Sequence, residues 1–249
     1  IGVPAADLQA WTAGGMTVSV SAEDAWGNTV AAEHPIELDL NAVAVTIDTV
    51  TTADMLNAAE KGADVTLSGQ TQGVEAGQTV VEKFAYQSFT SQVLQVGAWR
   101  LSVPASAMET LIDGRAQVSV SVTNVNGNSA DASRVVIVDT QPPAITLDNL
   151  TDDNIINAAE AQQELVLSGS TTAEVGQTVT VTLNGKSYQT TVQADGRWQL
   201  NVPAADVGAL TDGNVTVTAT VSDVAGNSSS ADRVGLVDAT VPLVTINDF

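Results

Sequence analysis

Short stretches in which apolar and polar residues alternate recur along the whole chain. The clearest is 215–221, where Val, Val, Ala and Val alternate with Thr. A period of two places every second side chain on one face, as in a half-buried β-strand. Residues 118–122 repeat the pattern and 18–20 echo it. No segment carries an apolar repeat long enough for a helix of about ten residues or more, so the chain is predicted to be all-β.

Residues 144–242 are predicted to hold seven short strands, each separated from the next by Gly, Asn, Asp or Pro. Seven short strands in about one hundred residues are typical of an Ig-like β-sandwich. Residues 154–161 are compatible with one short turn of helix. The predicted strands are 144–150, 164–170, 178–183, 187–193, 198–202, 215–222 and 233–237.

The sequence repeats itself with a period of about one hundred residues. Leu-Asn-Ala-Ala-Glu at 56–60 recurs as Ile-Asn-Ala-Ala-Glu at 156–160, and Gly-Gln-Thr-Val at 77–80 recurs at 176–179. We therefore predict tandem Ig-like sandwiches arranged end to end. Because half a sandwich cannot bury its own core, we expect the array to continue in both directions. The predicted divisions are 1–43 (the C-terminal part of a repeat), 44–143 and 144–242 (two full repeats) and 243–249 (the start of another or a C-terminal extension).

The charge balance is strongly acidic, with 29 Asp and Glu against 8 Lys and Arg and a net charge of -21. Such a surface repels nucleic acid and anionic membranes and attracts cations. The chain has no cysteine, so disulfides and thiolate metal sites are excluded. No apolar run is long enough to insert directly into a membrane.

Acidic and amide side chains fall at the ends of the predicted sandwiches. Successive turns alternate between the two ends, so the turn after the first strand, the turn before the sixth and the exit of the seventh share one end. Carboxylates gathered without Lys or Arg repel one another, and a divalent cation reverses that cost. Oxygen donors of these types suit Ca²⁺, whereas one histidine, His34, and no cysteine disfavour zinc. The candidate calcium ligands are Asp39, Asp54, Asn57, Glu60, Asp113, Asp139, Asp153, Asn157, Glu160, Asp212, Asp223 and Asp238.

The competing interpretation is that Asp and Asn occupy turns because they cap them and form Asx-turns. Two positions also depart from the pattern. Ala13 stands where the later repeats have Asp113 and Asp212, and Asn124 stands where the other hairpins have aspartate. We therefore expect the first junction to have a weaker metal site or one with fewer ligands.

Two tryptophans, Trp99 and Trp198, are expected to plug the cores because each is in register with an inward leucine. A carbohydrate-binding module is the alternative function. It would need exposed aromatics on one sheet face, and the candidates are Trp26, Phe84, Tyr86, Phe89 and Tyr188. No Ser–His–Asp set and no phosphate-binding loop is visible, so we predict that the chain is not an enzyme.

Five motifs together resemble bacterial Ig-like repeats. They are Val-Asp-Thr-x-x-Pro at 138–143, Ile-Asn-Ala-Ala-Glu at 156–160, Gly-Gln-Thr-Val at 176–179, Gly-Arg-Trp at 196–198 and Asp-Val-Ala-Gly-Asn at 223–227. Such repeats occur in giant type I-secreted, non-fimbrial adhesins, including those of Salmonella. The resemblance covers the whole chain.

The resemblance implies secretion without a cleaved N-terminal signal and an extracellular location at the bacterial surface. It also implies calcium-stiffened junctions between repeats. The whole adhesin would attach to a host-cell surface or glycan receptor through its distal end, with the repeats forming a monomeric rod.

Overall fold

The computed structural model describes residues 7, 11–40, 42–51 and 53–245. The chain divides into two compact units. The first comprises Ile1–Val50, Val65–Thr110 and Arg115–Val136, and the second comprises Thr51–Asp64, Leu111–Gly114 and Ile137–Phe249. The units do not follow the predicted repeat boundaries, which stay a prediction.

Strands dominate the described chain, and its helices are single short turns, which confirms the all-β class. The strands are β1 (Gly14–Glu23), β2 (Thr29–Leu38), β3 (Ala44–Val45), β4 (Met55–Leu56), β5 (Val65–Gln72), β6 (Thr79–Phe84), β7 (Gln87–Gln92), β8 (Ala98–Val103), β9 (Gly114–Thr123), β10 (Ser129–Val138), β11 (Ile155–Asn157), β12 (Leu165–Ser170), β13 (Thr178–Leu183), β14 (Lys186–Thr191), β15 (Arg197–Val202), β16 (Gly213–Ser222) and β17 (Ser228–Asp238). The helices are α1 (Ala58–Lys61), α2 (Ala105–Met108), α3 (Ala204–Val207) and a 3-10 turn at Glu160–Gln162. None of the described helices has the length and apolar character needed to cross a membrane.

The second unit contains an Ig-like sandwich. One sheet has the strand order β11-β17-β16-β13-β14, and the other pairs β12 with β15. The predicted alternation in β16 is confirmed, since Val217, Ala219 and Val221 are buried and the intervening threonines are not. Full burial of such an aliphatic side chain contributes about 1.5–3 kcal/mol. The core between the two sheets is therefore what holds the hairpin turns at the ends of the strands in place.

The first unit has the same architecture. One sheet runs in the order β10-β9-β6-β7 and the other in the order β3-β5-β8. The hairpin β1–β2 forms ten residue pairs, from Gly14 with Leu38 to Glu23 with Thr29. It is equivalent to β9–β10, but Val20 is 60% exposed where its equivalent Val120 is 2% exposed.

Both tryptophans predicted to lie in the core do so, with exposures of 1% for Trp99 and 0% for Trp198. The Trp99 Nε1–H donates to the carbonyl oxygen of Thr46 at 3.0 Å. A glycine makes room for each ring. A Cβ built on Gly169 would lie 2.7 Å from the Trp198 ring. These glycines are therefore required by close packing.

One predicted strand, 144–150, is not a regular strand. It is extended and bonded to its neighbour, with Thr146 N–H donating to Ser170 O at 2.8 Å, but it forms one isolated bridge. The reason is that Ser170 N–H donates to the Thr146 hydroxyl at 2.9 Å instead of to a backbone carbonyl. The helical turn considered for 154–161 is replaced by strand β11 and the short 3-10 turn.

Candidate functional site at the repeat junctions

The hairpin tip between β16 and β17 is bonded to residues 57, 58 and 139, which belong to the predicted repeat 44–143. Asn57 Nδ2 donates to the Ala225 carbonyl at 2.9 Å, and Ala58 N–H donates to Asn227 Oδ1 at 3.0 Å. Asn227 Nδ2 also donates to the carbonyl oxygen of Asp139 at 2.9 Å. We call the set formed by residues 57–60, 139 and 223–227 the second junction; all of it lies in the second unit.

The tip itself is built around Asp223. Its Oδ1 accepts from Asn227 N–H at 2.8 Å and its Oδ2 accepts from Asn227 Nδ2 at 3.0 Å. Gly226 has φ +93°, a left-handed conformation that glycine adopts without strain. Asp223 is only 8% exposed. A carboxylate is thus held almost buried where the predicted repeats 44–143 and 144–242 meet.

The first junction, formed by Asp39 and residues 124–128, lies in the first unit and has different chemistry. Asn124 Nδ2 and Asn126 Nδ2 both donate to Asp39 Oδ2, at 3.1 Å and 2.8 Å. Asn128 Nδ2 donates to the Asp39 carbonyl oxygen at 3.3 Å. Side-chain amides here contact the one aspartate directly.

Two of the predicted ligand pairs are helix-capping boxes. Glu60 N–H donates to Asn57 Oδ1 at 2.9 Å while Asn57 N–H donates to Glu60 Oε2 at 3.1 Å. Asn157 and Glu160 exchange the same two bonds, at 3.1 Å and 2.9 Å. Such reciprocal bonds satisfy the free N–H groups of a turn. The structural role that competed with metal binding is therefore real at these four residues.

Two further predicted ligands tie the exit of a repeat to the turn before its sixth strand. Asp113 Oδ1 accepts from the Thr140 hydroxyl at 2.8 Å and from its N–H at 3.1 Å. Asp212 accepts from Ala239 N–H at 2.8 Å and from the Thr240 hydroxyl. The bond from the threonine hydroxyl is the main cause that lowers the pKa of each aspartate. Both carboxylates therefore stay charged to a lower pH than an aspartate without these bonds.

The remaining predicted ligands lie apart from one another. Asp153 accepts from Ile155 N–H and the Thr151 hydroxyl, both at 3.0 Å, and these bonds lower its pKa. The Asp54 carbonyl accepts from Ile137 N–H. Asp238 is exposed and opposite Asn157 in the β11–β17 ladder. Among residues 11–40, 42–51 and 53–245, no three Asp, Glu or His side chains are grouped so that they could hold a metal ion.

Sequence reasoning missed the part played by asparagine amides at the junctions. Asn227 entered that reasoning only as the last residue of the motif at 223–227, whereas the structure bonds its side chain to Ala58 N–H and to the Asp139 carbonyl. The signal was the Gly-Asn pair, which recurs in three equivalent hairpin turns at 27–28, 127–128 and 226–227.

Exposed aromatics do not line a sheet face in the described chain. Trp26 and Tyr86 are 89% and 87% exposed, but both lie in hairpin turns. Phe84 was wrong as a candidate, because it points inward from β6 and is 1% exposed. Tyr188 packs against the core and donates to Asp206 at 2.7 Å. His34 is exposed, as expected for a surface residue.

The fold and junctions define the class as tandem Ig-like sandwiches, and comparison with known proteins gives the family. Residues 143–238 match the bacterial Ig-like domain family, and this part of the chain belongs to it. Ig-like repeats of adhesins are typically non-enzymatic structural modules. No curated protein matches the chain.

Two solved structures of bacterial adhesins are similar over most of the chain. One is the Ca²⁺-stabilized adhesin with which an Antarctic bacterium reaches out and binds ice, with 30% identity and a TM-score of 0.53; the match covers 90% of this chain and 57% of that one. The other is a 1.5-MDa bacterial ice-binding adhesin, with 29% identity and a TM-score of 0.50, covering 96% and 79%. The chain therefore resembles adhesin repeats. Its likeness to Salmonella adhesins in particular stays a prediction.

Proposed function

We propose that the chain is a segment of the extracellular stalk of a bacterial surface adhesin, in which calcium stiffens the junctions between Ig-like repeats. The observation that carries the proposal is the second junction. There the hairpin tip 223–227 is bonded to the preceding repeat through Asn57, Ala58 and Asp139. A tip fixed in this way restricts bending at the linker.

Calcium is supported by the chemistry of the donor set. Asp223 is almost buried, and its carboxylate accepts from the backbone N–H and the Nδ2 of Asn227. Asn227 Nδ2 joins it to the backbone of Asp139, whose own Oδ1 accepts from Gln141 N–H at 3.1 Å. The Asp223 carboxylate and the Asp139 backbone carbonyl both accept from Asn227 Nδ2, and oxygen atoms of these kinds are ligands that a hard cation takes.

The oxygen atoms at the second junction are of the type that Ca²⁺ binds, but the acidic side chains are too few to complete its coordination shell. Asp139 and Asp223 would hold the ion at the second junction. Since fewer than three acidic side chains are grouped there, carbonyl oxygens and water would have to complete the six to eight ligands that Ca²⁺ takes. When bound, the ion would offset the negative charge of these two carboxylates. Asp153, Asn157, Glu160, Asp212 and Asp238 would form the equivalent end for a following repeat.

A melting experiment on the whole chain tests the proposal. Extracellular calcium modules have dissociation constants of about 10⁻⁴–10⁻³ M, so about 10 mM Ca²⁺ should stabilise the chain by about 1.4–2.7 kcal/mol relative to chelator. The same concentration of Mg²⁺ should do less, because it demands a smaller and more regular shell.

A matched pair of variants locates the effect. Asp223→Asn keeps the hairpin, because Asn124 occupies the equivalent position in the first unit, and it should lose most of the response to Ca²⁺. Asp131→Asn removes one charge from an exposed position in β10 and should keep the full response. If the unaltered chain has the same melting temperature in Ca²⁺ and in chelator, the calcium part of the proposal is wrong.

The partner of the whole adhesin would be a host-cell surface or glycan receptor, contacted by a distal part of the protein. The chain spans 57% of the length of the Antarctic adhesin structure. We propose no enzyme activity for these repeats. The alternative, a carbohydrate-binding module, is weakened because the exposed Trp26 and Tyr86 lie in separate turns.

A further inference from the structure

The first junction differs from the second in the side chains that supply the hydrogen-bond donors. Asn124 and Asn126 both donate to the Asp39 carboxylate, at 3.1 Å and 2.8 Å, and Asn128 donates to its carbonyl at 3.3 Å. We call Asn124, Asn126 and Asn128 with their acceptor Asp39 the asparagine latch. Asn124 is 4% exposed, so water competes little for its amide.

The latch is also fixed from within its own hairpin. Asn124 Oδ1 accepts from Asn126 N–H at 3.1 Å and from Asn128 N–H at 2.9 Å. Its Nδ2 donates to Asp39 and to the Gly73 carbonyl at 3.3 Å. Both ends of this amide are occupied, which fixes its orientation. Asp39 therefore meets donors that are already aimed at it.

The second junction keeps only one of these three bonds. Asn227 donates to the Asp139 carbonyl, as Asn128 does to Asp39. Asp223 stands in the place of Asn124, and Ala225 stands in the place of Asn126. A carboxylate has no N–H to give, and alanine has no polar side chain. The first junction thus gives the Asp39 carboxylate two amide donors, whereas the residues in those two places at the second junction have no side-chain N–H to give.

This difference changes what each junction needs. Amide donors satisfy a carboxylate by charge-assisted hydrogen bonds without any ion. Two carboxylates repel one another unless a cation or a proton intervenes. We infer that the asparagine latch closes the first junction without a metal ion, and that the residue at position 124 decides this. The contrast with a calcium-dependent second junction rests on the proposed function, but the latch itself does not.

The absence of cysteine allows each junction to be observed separately. Nitroxide labels on Thr12→Cys and Ala76→Cys report the first junction, and labels on Ile112→Cys and Val175→Cys report the second. These are equivalent exposed positions in successive repeats, and each pair lies within one unit. Double electron–electron resonance then gives a distance distribution in Ca²⁺ and in chelator for the whole chain.

In chelator, we expect the first pair to keep one narrow distance peak. Asn124→Asp and Asn126→Ala should each broaden that peak in chelator, because each removes a donor to Asp39. Asp24 and Asp223 show that aspartate supports the same hairpin, so Asn124→Asp tests the latch and not the fold. Asn126→Ala removes a donor without adding a charge, whereas Asn124→Asp also places a second carboxylate beside Asp39.

Three outcomes decide between the ideas. If the first pair of the unaltered chain broadens in chelator, or if Asn124→Asp leaves it narrow there, the latch is wrong. If Ca²⁺ restores the narrow peak of Asn124→Asp, the same position has become a metal junction, as the inference requires of a calcium-dependent stalk. If the distance peak of the second pair stays equally narrow in Ca²⁺ and in chelator while the first pair behaves as expected, the calcium proposal fails and the latch stands.

The reverse exchange gives a gain of function. Asp223→Asn together with Ala225→Asn places two amides opposite Asp139. The second pair should then keep its narrow peak in chelator. A broad peak in both solutions, with unchanged thermal unfolding of the chain, would contradict the idea that amide donors are sufficient.

Discussion

The core of the first unit contains a carboxyl group, and the equivalent core of the second unit has an aliphatic side chain in its place. Glu82 points inward from the middle of β6 and is 0% exposed. The Ser91 hydroxyl donates to Oε1, but Oε2 has no hydrogen-bond partner. In the next repeat the equivalent residue is Val181, which is also 0% exposed. Exchanging these two residues tests how much one buried carboxyl weakens one sandwich.

Glu82→Val should stabilise the first unit. Leaving a buried polar group unsatisfied costs about 1–3 kcal/mol, and more when the group is charged. Valine has the shape that Val181 shows the site accepts, so most of this cost should be recovered. The reverse change, Val181→Glu, should destabilise its own sandwich by at least about 1–3 kcal/mol.

The gain should depend on pH. Burial raises the pKa of the Glu82 carboxyl above its usual value of 4.5, and the Ser91 hydroxyl offsets this only in part. The folded protein therefore holds this proton more tightly than the unfolded chain. Stability from this group is present below pH 4.5 and is lost as the pH rises through the raised pKa. The advantage of Glu82→Val should accordingly be larger at neutral pH than in mild acid.

Hydrogen exchange followed by mass spectrometry at increasing urea measures each sandwich by itself. Peptides covering 79–92 report the exchanged site, and those covering 178–191 serve as the internal control. Glu82→Val should raise the urea midpoint of the first set and leave the second unchanged. The reasoning is refuted if Glu82→Val lowers that midpoint at neutral pH, or if its advantage is the same at both pH values.

Two further changes test the packing and the junction bonds. Gly169→Ala would place a methyl group 2.0 Å from the Thr146 carbonyl oxygen and 2.7 Å from the Trp198 ring, so it should cost at least about 1–3 kcal/mol by urea denaturation. Gly15→Ala, which meets open space, should cost little. Thr240→Val removes the hydroxyl that lowers the pKa of Asp212, so the pKa of that carboxyl, measured by NMR titration, should rise toward its usual 3.8. An unchanged titration would show that the hydroxyl bond is not formed in solution.

The strand pattern was predictable because burial on one face leaves a direct trace in the sequence. Strand β13 begins and ends where the alternation predicted, at Thr178–Leu183. The segment 144–150 was less predictable, because a threonine hydroxyl replaces a ladder bond there. Alternation also placed Glu82 on the same face as Val80 and Phe84, so its burial was visible in principle.

The junctions were predictable only in part. The position of oxygen-bearing residues at the repeat ends follows from strand order alone. Which of them bond across a junction depends on the direction of a side-chain amide, and alternation carries no information about that. Asn57 shows the difficulty, because its Oδ1 caps its own helix while its Nδ2 reaches Ala225. One residue thus caps a turn and bonds across a junction, a combination that the choice between capping and metal binding did not include.

The hairpin tip forms its internal hydrogen bonds whether or not it is docked on another part of the chain. In the exposed tip around Trp26, Asp24 accepts from Asn28 N–H at 2.9 Å and from Asn28 Nδ2 at 2.8 Å. The almost buried Asp223 makes the same two bonds with Asn227. Since the internal bonds are the same in an exposed and in a docked tip, docking does not create them. The tip therefore loses little conformational freedom on docking. The stiffness of a junction is decided by the few side chains that reach across it.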